Sequence, residues 1–365
     1  MSELPLTTIV GGAAFVAGAV FGATAQRTNF CTMGALSDIV FMGDWRRMRA
    51  WMLAVAVGIL VSQGLAAAGM VDLGKSIYLG PSIGWAGAII GGLMFGFGMT
   101  MAGGCGNKTL VRVGGGNLKS LVVFLIVALF AYMTLKGLIA LARIQIETTN
   151  VASASLGLAN QGLPAVLAKL GLPATAARWT AAGVVGGGLL AWCFKDAEFR
   201  SSPRDIVGGL IIGLMVPAGW WITGVLGNDD FEPTALASFT FVAPMGDTMQ
   251  YLMTFTGQTI NFGIAAVFGV ITGSFLASVA SKSFAVEAFS DGPDMLRHFL
   301  GAALMGTGGV MAMGCTIGQG LTGMSTLSIT SVIALGSIVF GGLVGLKYLE
   351  EGTLGGAIKA VFARA

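Results

Sequence analysis

The sequence predicts an all-α, polytopic membrane protein of about nine transmembrane helices, with interrupted or re-entrant short helices and a pseudo-twofold inverted repeat. Three observations carry this. Of 365 residues, 55% are hydrophobic and 10% charged, where a soluble domain carries about a quarter charged. With 20 basic and 17 acidic side chains and a mean hydropathy of +0.83, lipid is the natural solvent. Apolar stretches of about the length needed to span ~30 Å of hydrocarbon occur repeatedly, and one glycine-rich segment recurs 210 residues further on.

The stretches fall at 6–25, 50–70, 84–103, 119–142, 176–195, 205–226, 257–281, 298–313 and 327–347. Before Gly11 the first carries Glu3 and no Lys or Arg, which argues for a retained span and against a cleaved signal peptide. Arg46, Arg47 and Arg49 follow it; Lys108, Arg112 and Lys119 lie between spans three and four. Lys195, Arg200 and Arg204 separate five from six, Lys282 and Arg297 separate seven from eight, and Lys347, Lys359 and Arg364 come last. Alternate connections are poorer in cations: 71–83 has Lys75, and 227–250 is acidic through Asp229, Asp230, Glu232 and Asp247. The positive-inside bias then puts the N-terminus outside and the C-terminus in the cytoplasm. The 143–175 connection, with Arg143, Lys169 and prolines, reads as short surface helices.

Gly accounts for 58 residues. In lipid, helices associate through close backbone approach at small residues, so runs such as Gly91–Gly96 and Gly183–Gly188 point to tight packing. Sliding the chain by 210 residues superposes 91–105 on 301–315 with seven of fifteen positions identical, including Met-Ala-x-Gly-Cys. A weaker match relates spans one and six. Four spans, a connector and four spans invert the second half, giving one transmembrane transport domain. Its first half is about 1–142, its connector about 143–204, its second half about 205–347, and its cytoplasmic tail 348–365. Inverted repeats with broken helices near the midplane are a recurrent transporter design.

Three of the four cysteines lie at breaks: Asn29-Phe30-Cys31, Gly104-Cys105-Gly106-Asn107-Lys108 and Gly314-Cys315-Thr316-Ile317-Gly318-Gln319. Non-helical backbone at membrane depth requires a protein or water-lined path, and half-helix N-termini favour an anion there. A thiol is a weak, soft donor that suits a polarizable sulfur. No CxxC pair, zinc pattern or nucleotide-binding motif occurs, and scattered basic residues give no nucleic-acid footprint. Neither catalytic residues, a metal site nor a cofactor is expected.

At these three breaks the chain resembles the YeeE/YedE family of membrane proteins, and the likeness covers nearly the whole chain. The resemblance implies an hourglass of two halves in the bacterial inner membrane, importing thiosulfate or a related sulfur anion by S–H···S contacts, with no enzymatic step. Cys105 would be the central relay, flanked by Cys31 and Cys315. Asn29, Asn107 and Gln319 would be neighbouring polar groups, and Gly104 and Gly314 would shape the breaks. Members also handle other sulfur or selenium species, and some work with a small TusA-type sulfur carrier, so a separate partner of that kind is open.

Other residues have plainer readings beside sharper ones. Arg27 lies in the first break, where a membrane charge is costly unless paired or functional. Lys108 and Arg112 either draw an anion or obey the positive-inside bias. Met99, Met101, Met311 and Met313 read as packing rather than a soft-metal path, His298 as a surface cap, Cys193 as a buried apolar residue, and Trp220 and Trp221 as interface anchors. A membrane thiol–disulfide enzyme, which needs paired cysteines and an electron partner, and a soft-metal channel are the competing classes.

Overall fold

The computed structural model describes residues 5–229 and 234–363; Glu3, Asp230, Glu232 and Arg364 lie outside that range. The molecule is 77% helical, and the antiparallel pair Ser82–Ile83 (β1) with Val151–Ala152 (β2) is the one sheet among the described residues. The helices are α1 (Leu6–Thr28), α2 (Thr32–Met42), α3 (Arg46–Ala67), α4 (Trp85–Met101), α5 (Gly106–Gly114) and α6 (Leu118–Lys136). A connector of α7 (Ile139–Glu147), α8 (Leu163–Lys169), α9 (Ala174–Ala182), α10 (Gly188–Lys195) and α11 (Ala197–Arg200) follows. The remainder comprises α12 (Pro203–Trp221), α13 (Val242–Met253), α14 (Phe262–Ala280), α15 (Gly292–Met311), α16 (Ile329–Glu351) and α17 (Leu354–Ala363).

Among the described residues, seven helical stretches are long and apolar enough to cross a membrane: 6–42, 46–67, 85–114, 118–136, 203–226, 262–280 and 329–351. The stretches expected at 176–195 and 298–313 are helical but are not among the seven. The first is divided into α9, a π-helical turn at Gly183–Gly187 and α10. The second, α15, begins at Gly292 and draws Asp294, Arg297 and His298 into the helix. Charged and glycine-rich sequence lowers the hydropathy of both. α15 is sheltered by protein, packed along α4 and α6.

Glycines set the packing. A methyl group on Gly91 would lie 2.5 Å from the Ala312 amide nitrogen and 2.6 Å from the Gly308 carbonyl oxygen. On Gly301, it would lie 2.5 Å from the Ala102 nitrogen and 2.7 Å from the Gly98 oxygen. Gly98 and Gly308 repeat the relation, at 2.6 Å from the Gly301 oxygen and 2.5 Å from the Gly91 oxygen. Each contact is the other's image under the 210-residue shift with partners exchanged, which is what a twofold axis between antiparallel α4 and α15 generates. The flanks follow suit. Gly18 and Gly22 seat α1 on the Ala266 and Val270 carbonyls of α14, while Gly209 and Gly213 seat α12 on the Ala50 and Ala54 carbonyls of α3.

At the start of α15, the Lys119 ammonium donates to Asp294 Oδ2 at 2.8 Å. That hydrogen bond holds the carboxyl down at about 2 and ties α6 to α15. His298 does not cap a surface: it is buried, with Nδ1 2.7 Å from the Asp294 carbonyl oxygen.

Side chains at the α4–α15 crossing are expected to force the helices apart. Gly98→Leu or Gly308→Leu should lower stability in detergent by about 1–3 kcal/mol or more. Gly12→Leu, where nothing lies within 4 Å of an added methyl, should leave it unchanged. Thermal unfolding followed by size-exclusion chromatography checks this; equal midpoints for all three would contradict the packing.

Candidate functional site

The three breaks share one local design. Each helix ends at a left-handed residue two positions before the cysteine: Asn29 (φ 53), Gly103 (φ 70) and Met313 (φ 56). The amide of the following residue turns back into the last turn: Phe30 to the Ala25 oxygen at 3.2 Å, Gly104 to Met99 at 2.8 Å and Gly314 to Gly309 at 2.7 Å. This closure satisfies carbonyls that a helix end leaves open. Gly suits the left-handed position and Asn tolerates it, whereas Met313 costs roughly 1–2 kcal/mol there. The packing of α15 against α4 and α6 holds it.

Each cysteine then starts the next helical segment. Cys31 is the N-cap of α2 and its sulfur accepts from the Gly34 amide at 3.5 Å. Cys315 accepts from the Gly318 amide at 3.4 Å, at the head of a π-helical turn over Gly318–Gly323. Cys105 is the N-cap of α5, but its sulfur accepts no capping hydrogen bond. At Cys31 and Cys315 the amide three residues on points at the sulfur, from the electropositive end of the segment. All three thiols are free and buried.

Two of these breaks meet. Cys31 Sγ lies 3.6 Å from Cys105 Sγ, within reach of a weak S–H···S contact. The Cys105 thiol donates to Asn107 Oδ1 at 2.7 Å, and Asn107 Nδ2 donates to the Phe30 carbonyl at 3.4 Å. Asn107 therefore joins the central break to the first. The third break abuts the second through Thr316: its buried hydroxyl faces the Cys105 thiol and meets no partner at full hydrogen-bonding distance among the described residues. Neutral groups lie beside Cys315. The Tyr78 hydroxyl lies by Cys315 and Thr240, and its ring meets Trp220 edge-on at 6.4 Å. A methyl on Gly318 would stand 2.5 Å from Thr240 Oγ1, so only glycine leaves that corner open. On the Cys31 side a narrow cleft is lined by Thr28, Phe30, Cys31, Arg47, Asp205 and Gly208.

A family model described as sulphur transport matches residues 27–344. The chain belongs to that sulphur-transport family. A protein named thiosulfate transporter TsuA from Escherichia coli (strain K12) is 28% identical over 348 residues, covering 89% of this chain and 91% of its own length. Its namesake from Spirochaeta thermophila is 25% identical over 330 residues, 87% of this chain and 92% of that one. The probable transporter YedE of E. coli is 35% identical over 103 residues, 28% of this chain and 23% of its own.

Within this sulphur-transport protein, the predicted site residues divide. Asn29, Cys31, Cys105, Asn107 and Lys108 converge, with Lys108 Nζ donating to Asn29 Oδ1 at 3.0 Å. Gly104 lies under the Lys108 stem, 3.3 Å from a methyl placed there to Cγ. Gly314 and Gln319 instead brace the third break. Gln319 Nε2 donates to the Ala312 oxygen at 2.5 Å and its Oε1 accepts from Ser331 at 2.6 Å, so both ends of its amide are used by protein. Arg27 does not enter the cluster: its side chain is exposed, and its carbonyl accepts from Arg204.

The guanidinium at the break belongs to Arg47, which pairs with Asp38 at 2.8 Å and donates to the Asn29 carbonyl at 3.3 Å. In the sequence Arg47 is one of three loop cations, and no local pattern separates it from Arg46 or Arg49. Trp220 is buried, donating to Ser325 Oγ at 3.0 Å, while Trp221 is exposed. α12 continues past both as a π-helical turn to Leu226. The counterpart of the first break therefore comes later, ahead of α13, where Phe241 caps the helix. Cys193 packs in a separate cluster with Ala50, Leu53 and Phe199.

Mild oxidation with copper phenanthroline is expected to join Cys31 to Cys105, each thiol losing one hydrogen as the sulfurs close to a ~2.05 Å bond. Non-reducing peptide mass spectrometry reads the product, and Cys31→Ser should abolish it. No linked peptide from oxidised wild-type protein would contradict the juxtaposition.

Proposed function

We propose that this chain imports thiosulfate, or a closely related inorganic sulfur anion, handing it along Cys315, Cys105 and Cys31 through weak S–H···S contacts. The observation that carries the reading is the thrice-repeated cysteine at a buried helix break, with two of the three thiols 3.6 Å apart. Likeness to proteins named thiosulfate transporters over nearly nine-tenths of the chain supports the substrate. A thiol meets the terminal sulfur as a soft, weak donor, while the amides at each break favour negative charge. Holding is weak at every station, so the anion moves on. No bond of the anion forms or breaks.

The halves of about 1–142 and 205–347 form one transport domain in this reading, lying in the bacterial inner membrane. The distribution of Lys and Arg argues for an N-terminus outside and a cytoplasmic C-terminus. The Cys315 side, with Tyr78 and Trp220, is then the entrance and the Cys31 side the exit.

Growth on thiosulfate as sole sulfur source, in a bacterium lacking its own sulfate and thiosulfate importers, tests this. Wild-type protein should rescue growth. Cys105→Ala should reduce tracer uptake by about ten- to a hundredfold, the worth of one hydrogen bond to a charged group. Cys31→Ala and Cys315→Ala should lower it as well, and Cys193→Ala should not. Rescue by all the cysteine variants at equal expression would leave transport standing and end the relay. A well-expressed wild type that does not rescue would redirect the substrate to another sulfur or selenium species.

A further inference from the structure

The two sides of the cysteine path descend from one repeat, yet they are electrically unequal. Under the 210-residue shift Cys105 maps to Cys315, but Lys108 maps to Gly318, Arg112 to Thr322, Asp38 to Thr248 and Asn29 to Phe239. Arg47 maps to Gly257, so each of these charged groups has a neutral counterpart, and the charges are held in place. Lys108 Nζ is bonded to Asn29 Oδ1 at 3.0 Å. Arg47 NH2 donates to the Asn29 carbonyl at 3.3 Å while NH1 pairs with Asp38 at 2.8 Å. Arg112 NH1 donates to the Gly103 carbonyl at 2.7 Å, closing the central break. The Arg47 guanidinium lies over Gly34, 2.7 Å from where a methyl would sit, on the residue whose amide serves the Cys31 sulfur.

We propose that Asn29 gathers Arg47 and Lys108 into an anion-receiving station beside Cys31, and that Arg47 makes this end of the path selective for doubly over singly charged sulfur anions. This rests on the transport reading above and adds a specificity-determining residue to it. Asn29 does this because its left-handed conformation (φ 53) leaves its carbonyl and its side chain open to different cations. Coulomb attraction to a fixed cation scales with ligand charge, so a dianion gains twice what a monoanion gains from the same two groups. The thiols supply less of that distinction, because an S–H is a weak, neutral donor while a fixed cation acts on the whole ligand charge. Asp38 keeps the guanidinium fixed and offsets part of its field, which prevents tight trapping. Asp205, which lines the same cleft, accepts from the Ser202 hydroxyl at 2.7 Å and further offsets the cationic field.

The test is initial-rate uptake of labelled thiosulfate into proteoliposomes, together with equilibrium binding of the same label to purified protein. Thiocyanate, a singly charged anion with a terminal sulfur, serves as competitor. Arg47→Gln should raise the KM for thiosulfate by about tenfold while maximal rate changes little, and thiocyanate should compete correspondingly better. Arg47→Lys, which keeps the charge, should restore most of the discrimination, as a merely structural arginine would not. Asn29→Gly keeps the left-handed cap and the backbone acceptor but releases Lys108. It should weaken discrimination even if Arg47→Gln fails to fold. Unchanged KM and unchanged competition in Arg47→Gln and Asn29→Gly, with an active wild type, would overturn the station and leave the transport reading intact. A wild type that neither binds nor carries thiosulfate would overturn both.

Discussion

Everything in this molecule depends on backbone touching backbone where α4 crosses α15. In lipid no hydrophobic force draws two helices together, so association rests on close van der Waals approach. Gly91, Gly98, Gly301 and Gly308 permit it by presenting no side chain to the opposing carbonyls. The glycines that seat α1 on α14 and α12 on α3 extend the same solution outward. A scaffold locked in this way can carry broken helices at its centre, because the fragments are held from both sides.

The breaks use that rigidity. A helix end in a membrane exposes carbonyls and amides that water cannot reach. Here the left-handed closure takes up the carbonyls, while the Cys31 and Cys315 sulfurs each take up an amide of the following segment. Side chains complete the accounting: Asn107 ties the second break to the first, and Gln319 and Ser331 satisfy the third. At Cys31 and Cys315 the sulfur serves as helix cap, so one side chain both follows the break and starts the next segment.

Duplication supplied the frame, and divergence made its two sides different. Phe241 occupies the capping position that corresponds to Cys31. Asn29 and the cations Arg47, Lys108 and Arg112 correspond to Phe239, Gly257, Gly318 and Thr322 under the 210-residue shift. Neutral hydroxyl and aromatic groups lie by Cys315 and anchored cations lie by Cys31, so the two ends differ in charge while the packing repeats.

The sequence by itself determined the solvent, the helical class, the repeat and the three breaks, because each is a matter of composition or local pattern. Apolar stretches register hydrocarbon, glycine spacing registers close approach, and Gly-Cys or Asn-x-Cys registers an interrupted helix. Asn29, Cys31, Cys105, Asn107 and Lys108 were legible for that reason. Only the tertiary structure decided which break meets which, since the 3.6 Å between Cys31 and Cys105 joins residues 74 apart in the chain. It also exchanged Arg27 for Arg47, made Gln319 a brace, and buried His298 and Trp220. Each depends on what a neighbouring helix brings to the residue, and neither hydropathy nor spacing along the chain encodes that.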